Sequence, residues 1–485
     1  MAIERLFLSS ADGDGLDRRV FIQGVGWVSL SLLLATAFGG CEACVEQIAN
    51  RPTRRRLRTG SAEVDAAIAT YSDAVGQMKA LQPTDPRSWA AQAAIHGTES
   101  PNVFIHCEHG TDHFFSWHRA YLLYFEQICQ ELTGDDTFGL PYWNWNQDPA
   151  MHADFTTAGS PLDHSPRTNT SMAGVWDVTT AALDPIFNDP NFYTFSSQIE
   201  GTPHNQTHVT IGGTMVTGGS PLDPIFWAHH CMIDYCWAKW NLELGNDNTN
   251  DQTWIDTSWN HFVDRDGNPI EVTAGATILM PLFSYQYEES SIGSFAGAMA
   301  RAIRDFDRLE ARLRAGAEVH LDVRRRFRVA ERATVSLARP FSAEIATTPA
   351  ELATVIDSDR ADERVFASVS WAELPPTNDF FVRVFVNRPD ADPTTPTDDP
   401  HFAGSFAFFG TSSAHGEEHG GKRDFLVNVT PTLRRLRSAG ALRDGEPISV
   451  QLVTVPAARE LARPEAELTL QGVELLVAPV TVRAQ

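Results

Sequence analysis

Hydrophobic positions along this chain follow three different periods. After His118 the apolar residues Leu122, Phe125 and Ile128 recur at helical spacing, which predicts an amphipathic helix with His118 near its start, pointing into the core. A further helical run opens at His230 and continues Cys-Met-Ile-Asp-Tyr-Cys-Trp-Ala-Lys-Trp. From about residue 335 the period shortens to two. Phe380–Val386, Phe425–Val429 and Ile448–Val455 alternate between Gly, Pro and Asp turns, which predicts an antiparallel β-sandwich. Near the start, Val20 to Phe38 is an apolar run tempered by Gly24, Gly26 and several Ser. It follows Asp17-Arg18-Arg19-Val-Phe-Ile-Gln, a twin-arginine motif, and suits an export signal better than a stable membrane span.

These periods divide the chain into a signal segment (1–40), a helical domain (50–290), a charged helical linker (291–334) and a sandwich (335–485). Two folded domains are the natural expectation for 485 residues. A formal charge of −24 argues against nucleic acid and anionic membrane surfaces as partners and for solubility. Six Cys in this length do not describe a disulfide scaffold.

The candidate chemistry lies in two histidine constellations. The first is His96 with His109-Gly-Thr-Asp-His-Phe-Phe-Ser-Trp-His118. The second is His204-Asn-Gln-Thr-His208 with Asp223-Pro-Ile-Phe-Trp-Ala-His229-His230 and Asp234. His204 and His208 are four apart, so on a helix both rings face one ion. Three imidazoles per half, without a thiolate or carboxylate, suit copper best among the common metals, with zinc open. A pair of coppers points to dioxygen chemistry. Helices converging on a metal pair predict a four-helix-bundle arrangement.

On these residues the chain resembles the tyrosinase, catechol oxidase and hemocyanin family of type-3 copper proteins. The first-copper motif reads His109, Phe114-Phe115-Ser116-Trp117-His118-Arg119, Leu122 and Glu126; the second reads Asp223 to Asp234. The metal-binding histidine of that second motif lies four before the aspartate, which selects His230 over His229. Residues 78 to 89, and Leu-Pro-Tyr-Trp-Asn-Trp at 140 to 145, are similar to plant polyphenol oxidases. The resemblance spans about residues 50 to 290. It implies two coppers held by His96, His109, His118 and by His204, His208, His230, with O2 as co-substrate and small phenols as substrates.

Further roles follow from the same resemblance. Cys107, two before His109, stands where fungal tyrosinases and molluscan hemocyanins carry a thioether from sulfur to imidazole. Glu200 and Asn205 match a glutamate and asparagine thought to hold a proton-accepting water during monophenol hydroxylation. Thr217 falls where plant enzymes often place a bulky substrate gate. Tyr285-Gln-Tyr287 resembles a paired-tyrosine motif that packs against an early arginine, with Arg51 as the candidate. The family usually follows the second motif's aspartate with arginine; here Tyr235 follows Asp234, so a salt link is expected to be missing.

Phe402-Ala-Gly-Ser-Phe resembles the domain that covers the copper site in plant enzymes, which implies a weakly active full-length protein. Detergent, acid or cleavage near 290–340 is expected to release it, and the run Arg324 to Arg328 offers access to an activating protease. His415-Gly-Glu-Glu-His419 reads as a hairpin loop. The implied activity is oxidation of o-diphenols to o-quinones with hydroxylation of monophenols. The alternatives are a catechol oxidase or o-aminophenol oxidase lacking hydroxylation and, more distantly, a hemocyanin-like O2 carrier. Export places the protein in the periplasm or outside the cell, with membrane attachment through the N-terminal segment or a lipidated Cys41, and with a copper chaperone as a further partner.

Overall fold

A computed structural model describes residues 51–290 apart from 250 and 279, and then 323–336, 339–345, 350–357, 363–371, 380–409, 424–443, 445–457 and 467–479. The twin-arginine segment, Cys41, the first part of the expected linker and the His415–His419 loop lie outside the described residues. No helix among the described residues is long and apolar enough to cross a membrane.

The first domain is helical. A two-residue strand β1 (Thr53–Arg54) leads into α1 (Ala62–Ala80) and α2 (Trp89–His96). The Ser61 and Ser88 side chains accept from Val64 N and Ala91 N, satisfying backbone donors that a helix start leaves open. Helix α3 (Phe114–Thr133) begins one turn before the expected start, so His118 lies in its second turn. It ends at Gly134 in the left-handed conformation, φ 68°. Helices α4 (Phe192–Ile199) and α5 (Asn205–Ile211) are joined by a π-turn, Glu200–His204. Pro203 sits inside that turn. It cannot donate to an α-helical ladder, and the wider turn absorbs the break. Helix α6 (Ile225–Ala238) also starts earlier than expected, placing His230 within it and not at its opening.

These helices surround a core rich in large rings, including fully buried Trp117, Trp143, Trp145, Trp227, Trp237 and Trp240. The domain is closed by β2 (Gln286–Tyr287), which pairs in parallel with β1. Beneath this seam lies a buried charged network. Arg54 donates to Glu126 at 2.8 Å and to Asp234 at 3.1 Å, and Arg119 donates to Asp234 at 2.5 Å. The Tyr285 and Tyr287 hydroxyls also donate to Asp234, each at 2.5 Å. The expected missing salt link at Asp234 is therefore supplied by two arginines from elsewhere in the chain. Arg54 lies on the Tyr285 ring, 3.6 Å from its centroid, and Arg51 Nε donates to the Tyr285 carbonyl at 3.0 Å. Tyr235 packs its ring against Tyr142 and Tyr287.

The second domain is a sandwich of two antiparallel sheets. One orders β9 (Phe425–Asn428), β6 (Glu363–Trp371), β11 (Glu467–Pro479) and β3 (Arg325–Ala330), with β4 (Ala333–Ser336) also on β11. The other orders β8 (Phe402–Ala407), β7 (Phe380–Val386), β10 (Ile448–Pro456) and β5 (Phe341–Ile345). Alternate residues such as Val365, Ala367 and Val369 on β6 and Val382, Val384 and Val386 on β7 fill the space between them. Helices α7 (Ala350–Asp357) and α8 (Thr430–Ser438) are additions that the strand pattern did not signal. The sheet begins at Arg325, inside the stretch read as linker. Arg326 and Arg328 pair with Glu474 across the sheet. The arginine run is thus an exposed edge strand of the sandwich and not part of a helical linker.

Candidate metal centre and its cover

Three structural levels bring the histidines together. His96 ends α2, His118 lies on α3, His204 and His208 flank the π-turn junction, and His230 projects from α6; His109 comes from the irregular loop before α3. The ligand atoms of His96, His109 and His118 lie within 4.8 Å of one another, as do those of His204, His208, His229 and His230. The two clusters face each other. The His118 ring stacks on His230 with centroids 4.4 Å apart, and His109 stacks on His204 at 5.4 Å. All seven rings are buried.

In His96, His118, His204 and His208 the hydrogen bonds fix which ring nitrogen is free. His96 Nδ1 meets the Gly218 carbonyl at 2.7 Å, His118 Nδ1 the Phe114 carbonyl at 2.7 Å, and His208 Nδ1 the Met215 carbonyl at 2.6 Å. A carbonyl only accepts, so each Nδ1 carries the proton and each Nε2 a lone pair. His204 Nδ1 meets Asn205 Oδ1 at 2.8 Å. That amide orientation is forced, because Asn205 Nδ2 faces a carbonyl on its other side. His118 Nε2 and His204 Nε2 are buried without a hydrogen-bond partner, an arrangement that costs about 1–3 kcal/mol per atom unless something binds there. His96 Nε2 and His109 Nε2 are 3.1 Å apart, and His208 Nε2 and His230 Nε2 3.3 Å. Burial holds these imidazoles neutral, pushing His96 down to about 4 and the others well below the usual histidine range. Neutral lone pairs, converging and otherwise unsatisfied, fit a pair of soft-to-borderline cations such as copper.

His229 differs. Trp145 Nε1 donates to its Nδ1 at 3.2 Å. Indole nitrogen only donates, so His229 Nδ1 is the acceptor, and in the neutral ring Nε2 bears the proton. Burial pushes this group down to about 3. Its lone pair is therefore committed to Trp145.

The loop from Gly213 to Gly219 orients one ring of each cluster, through the Met215 and Gly218 carbonyls. It can approach only because Gly218 has no side chain: a Cβ there would drive into the Val103 carbonyl. Thr217, the expected gate, turns its hydroxyl back to the Thr214 carbonyl at 2.9 Å. Cys107 is buried, and burial pushes its thiol well up. Glu200 accepts from Gly110 N at 2.6 Å, with its Oε1 3.5 Å from His109 Nδ1.

A ring from the second domain fills the space between the clusters. Phe409, just past β8, stacks on His208 with centroids 3.7 Å apart and planes at 16°, and stands edge-on to His109 at 5.1 Å and to Phe104 at 5.4 Å. Nothing in the sequence distinguished Phe409 from Phe406 or Phe408; those two turn into the sandwich core, and Phe409 meets the histidines.

The comparisons with known proteins agree with this site. Residues 86–177 and 164–243 match the family model described as the common central domain of tyrosinase. The segment that carries all six candidate ligand histidines thus matches the tyrosinase family. Residues 325–469 match a domain of unknown function, DUF7868. Tyrosinase HcTyr1 of Hahella sp. (strain CCB-MM4) is 25% identical over 80% of this chain and 93% of its own length. The (+)-larreatricin hydroxylase of Larrea tridentata, a chloroplastic protein, is 26% identical over 78% of this chain and 71% of its own. A latent aurone synthase (polyphenol oxidase) shares the fold across both domains, with TM-score 0.62 and 20% identity, covering 89% of this chain and 90% of that one. The relatives that align across both domains are named as a tyrosinase, a hydroxylase and a polyphenol oxidase.

Proposed function

We propose that this protein is a copper polyphenol oxidase that oxidises o-diphenols to o-quinones and hydroxylates monophenols. The observation that carries this reading is the pair of facing imidazole clusters with an aromatic ring already lodged between them. His96, His109 and His118 would hold one copper, and His204, His208 and His230 the other. Bound there, the metal pair would take up dioxygen and receive electrons from the phenol. The protein supplies a dry pocket, fixed tautomers and a ring-shaped slot. In the slot, the face of His208 and the edge of Phe104 position the substrate ring, as they now position Phe409.

A monophenol must lose its proton first, and its pKa is near 10. We assign Glu200 and Asn205 to a water that takes this proton, and Cys107 to a thioether with His109 that fixes the first cluster. Thr217 leaves the mouth over the second cluster open to bulky rings. We further propose that Phe409 makes the full-length chain latent, and that the Asp17–Phe38 segment exports it by the twin-arginine route, free or attached through Cys41. A copper chaperone and an activating protease are further partners on this reading.

Oxygen uptake with a monophenol and its matching diphenol tests the assignment. Asn205→Leu should lose monophenol turnover by roughly a hundredfold more than diphenol turnover. Equal losses would remove Asn205 from the proton route. An active wild type that never turns over a monophenol would be a catechol oxidase.

A further inference from the structure

The second domain meets the metal centre in register, and the register has a consequence for substrate choice. Helical positions 202, 205 and 208 are three apart and share a face. Strand positions 405, 407 and 409 are two apart and share a side. The two rows meet rung by rung. Thr202 Oγ1 donates to the Ser405 carbonyl at 2.9 Å, Asn205 Nδ2 donates to the Ala407 carbonyl at 2.6 Å, and Phe409 stacks on His208 at 3.7 Å. The edge of β8 thus runs along the helix that carries His204 and His208 and ends inside the site.

Two separate things happen on this ladder. The Phe409 ring occupies the substrate slot, while the Ala407 carbonyl holds Asn205. The amide of Asn205 is then engaged at both ends, its oxygen by His204 and its nitrogen by Ala407. Asn205 and Glu200 are both buried in this state, so the amide donor meets a backbone carbonyl where a water would otherwise accept. Diphenol oxidation needs the slot alone. Monophenol hydroxylation also needs the proton acceptor.

We propose that β8 is a two-part lock in which Phe409 decides whether a phenol enters and the Ala407 carbonyl decides whether a monophenol can react. The second part rests on the reading above that Asn205 and Glu200 hold the proton-accepting water. Removing the Phe409 side chain opens the slot but leaves the carbonyl in place. The result is a diphenol oxidase that binds monophenols without hydroxylating them. Withdrawing β8 then restores hydroxylation.

The experiment uses full-length copper-loaded protein as Phe409→Ala, with Phe409→Leu as a milder second variant, each with and without Ser405→Glu. A carboxylate at 405 would face buried Asp177, the partner of the Ser405 hydroxyl, and push β8 away. Metal analysis confirms that copper content is equal throughout. Phe409→Ala should raise diphenol oxidation by roughly tenfold or more and convert monophenols into competitive inhibitors. Adding Ser405→Glu should raise the monophenol-to-diphenol ratio by a further tenfold or so. Tryptophan quenching on the copper-free proteins should show equal monophenol affinity in both, so that entry is not the difference.

If Phe409→Ala alone gives the same ratio as the double variant, the lock is overturned. If neither Phe409 variant raises diphenol oxidation, occupancy by the ring is wrong and the lock falls with it. If the double variant oxidises diphenols well but never hydroxylates, the hydroxylase reading has failed and takes the lock with it, a different signature from either.

Discussion

Raising the pH should open this protein, because a buried carboxyl at the domain interface prefers to be protonated. Asp177 lies under β8, fully buried, with the Ser405 hydroxyl on its carboxylate and the Arg383 guanidinium as the nearby cation. Burial pushes it from an ordinary 3.8 up to about 6, against the opposing pull of Ser405 and Arg383. The docked state therefore binds this proton more tightly than a released state that returns Asp177 to water. Its contribution to docking is complete below about pH 4, where both states are protonated, and is lost as pH rises through about 6. A shift of about two units is worth roughly 3 kcal/mol, or about a hundredfold in the docking equilibrium. For Asp177 the direction is opposite to the expectation that acid loosens the cover, and the assay decides between the two. The assay is latency itself: the diphenol oxidation rate before and after mild detergent, from about pH 4 to about pH 8. Wild type should become less latent as pH rises. Asp177→Asn keeps an acceptor for Ser405 but carries no charge, so it should stay latent at neutral pH. Latency curves that overlay for the two proteins would refute the argument.

Other outcomes follow from single contacts. His230→Ala should remove one copper and abolish oxidation, whereas His229→Ala should keep both coppers, since that lone pair belongs to Trp145; metal analysis decides. If Cys107 forms a thioether with His109, intact mass of the copper-loaded protein will be two hydrogens below the reduced sequence, and a freely alkylated Cys107 would exclude the bond. Arg54→Met leaves Glu126 and Asp234 buried with fewer counter-charges and should lower unfolding stability by about 3–5 kcal/mol in chemical denaturation.

The copper side of this site was legible because it is written in side chains at fixed spacings. His204 and His208 share a helical face whatever surrounds them, and the motif around His230 names its own register. The sandwich was legible from period-two runs such as Phe380–Val386, whose alternate residues had to be buried. The start of that domain was misplaced because the arginines from 325 to 328 read as charge, although they belong to an edge strand on which Arg326 and Arg328 share a face and meet Glu474. Arg54 was passed over for Arg51 because a buried guanidinium is set by tertiary partners, Glu126 and Asp234, which no local pattern reveals. The hold on Asn205 was invisible for a deeper reason: any residue at 407 would supply the same carbonyl.

The packing explains how a cover this intimate can still be released. The catalytic core runs from Leu57 to Tyr287 and the sandwich core from Val335 to Val477, and no residue belongs to both. What joins the domains is mostly polar: Thr202 and Asn205 on the β8 carbonyls, Asp177 on Ser405, Ser197 on the Asp424 carbonyl, Arg364 beside Asp189. Apolar contacts among the described residues include Phe409 in the slot, Phe425 over Gly201 and Trp176 against the cluster of Phe385, Ala391, Phe402 and Val453. Parting the domains exchanges these polar bonds for water, each at a net cost of only about 1 kcal/mol, and opens neither core. Such an interface behaves like a transient one. It can dock firmly enough to hold one ring over the histidines and still yield to a change in charge at a single buried carboxyl, which is what a reversible cover over a reactive metal pair requires.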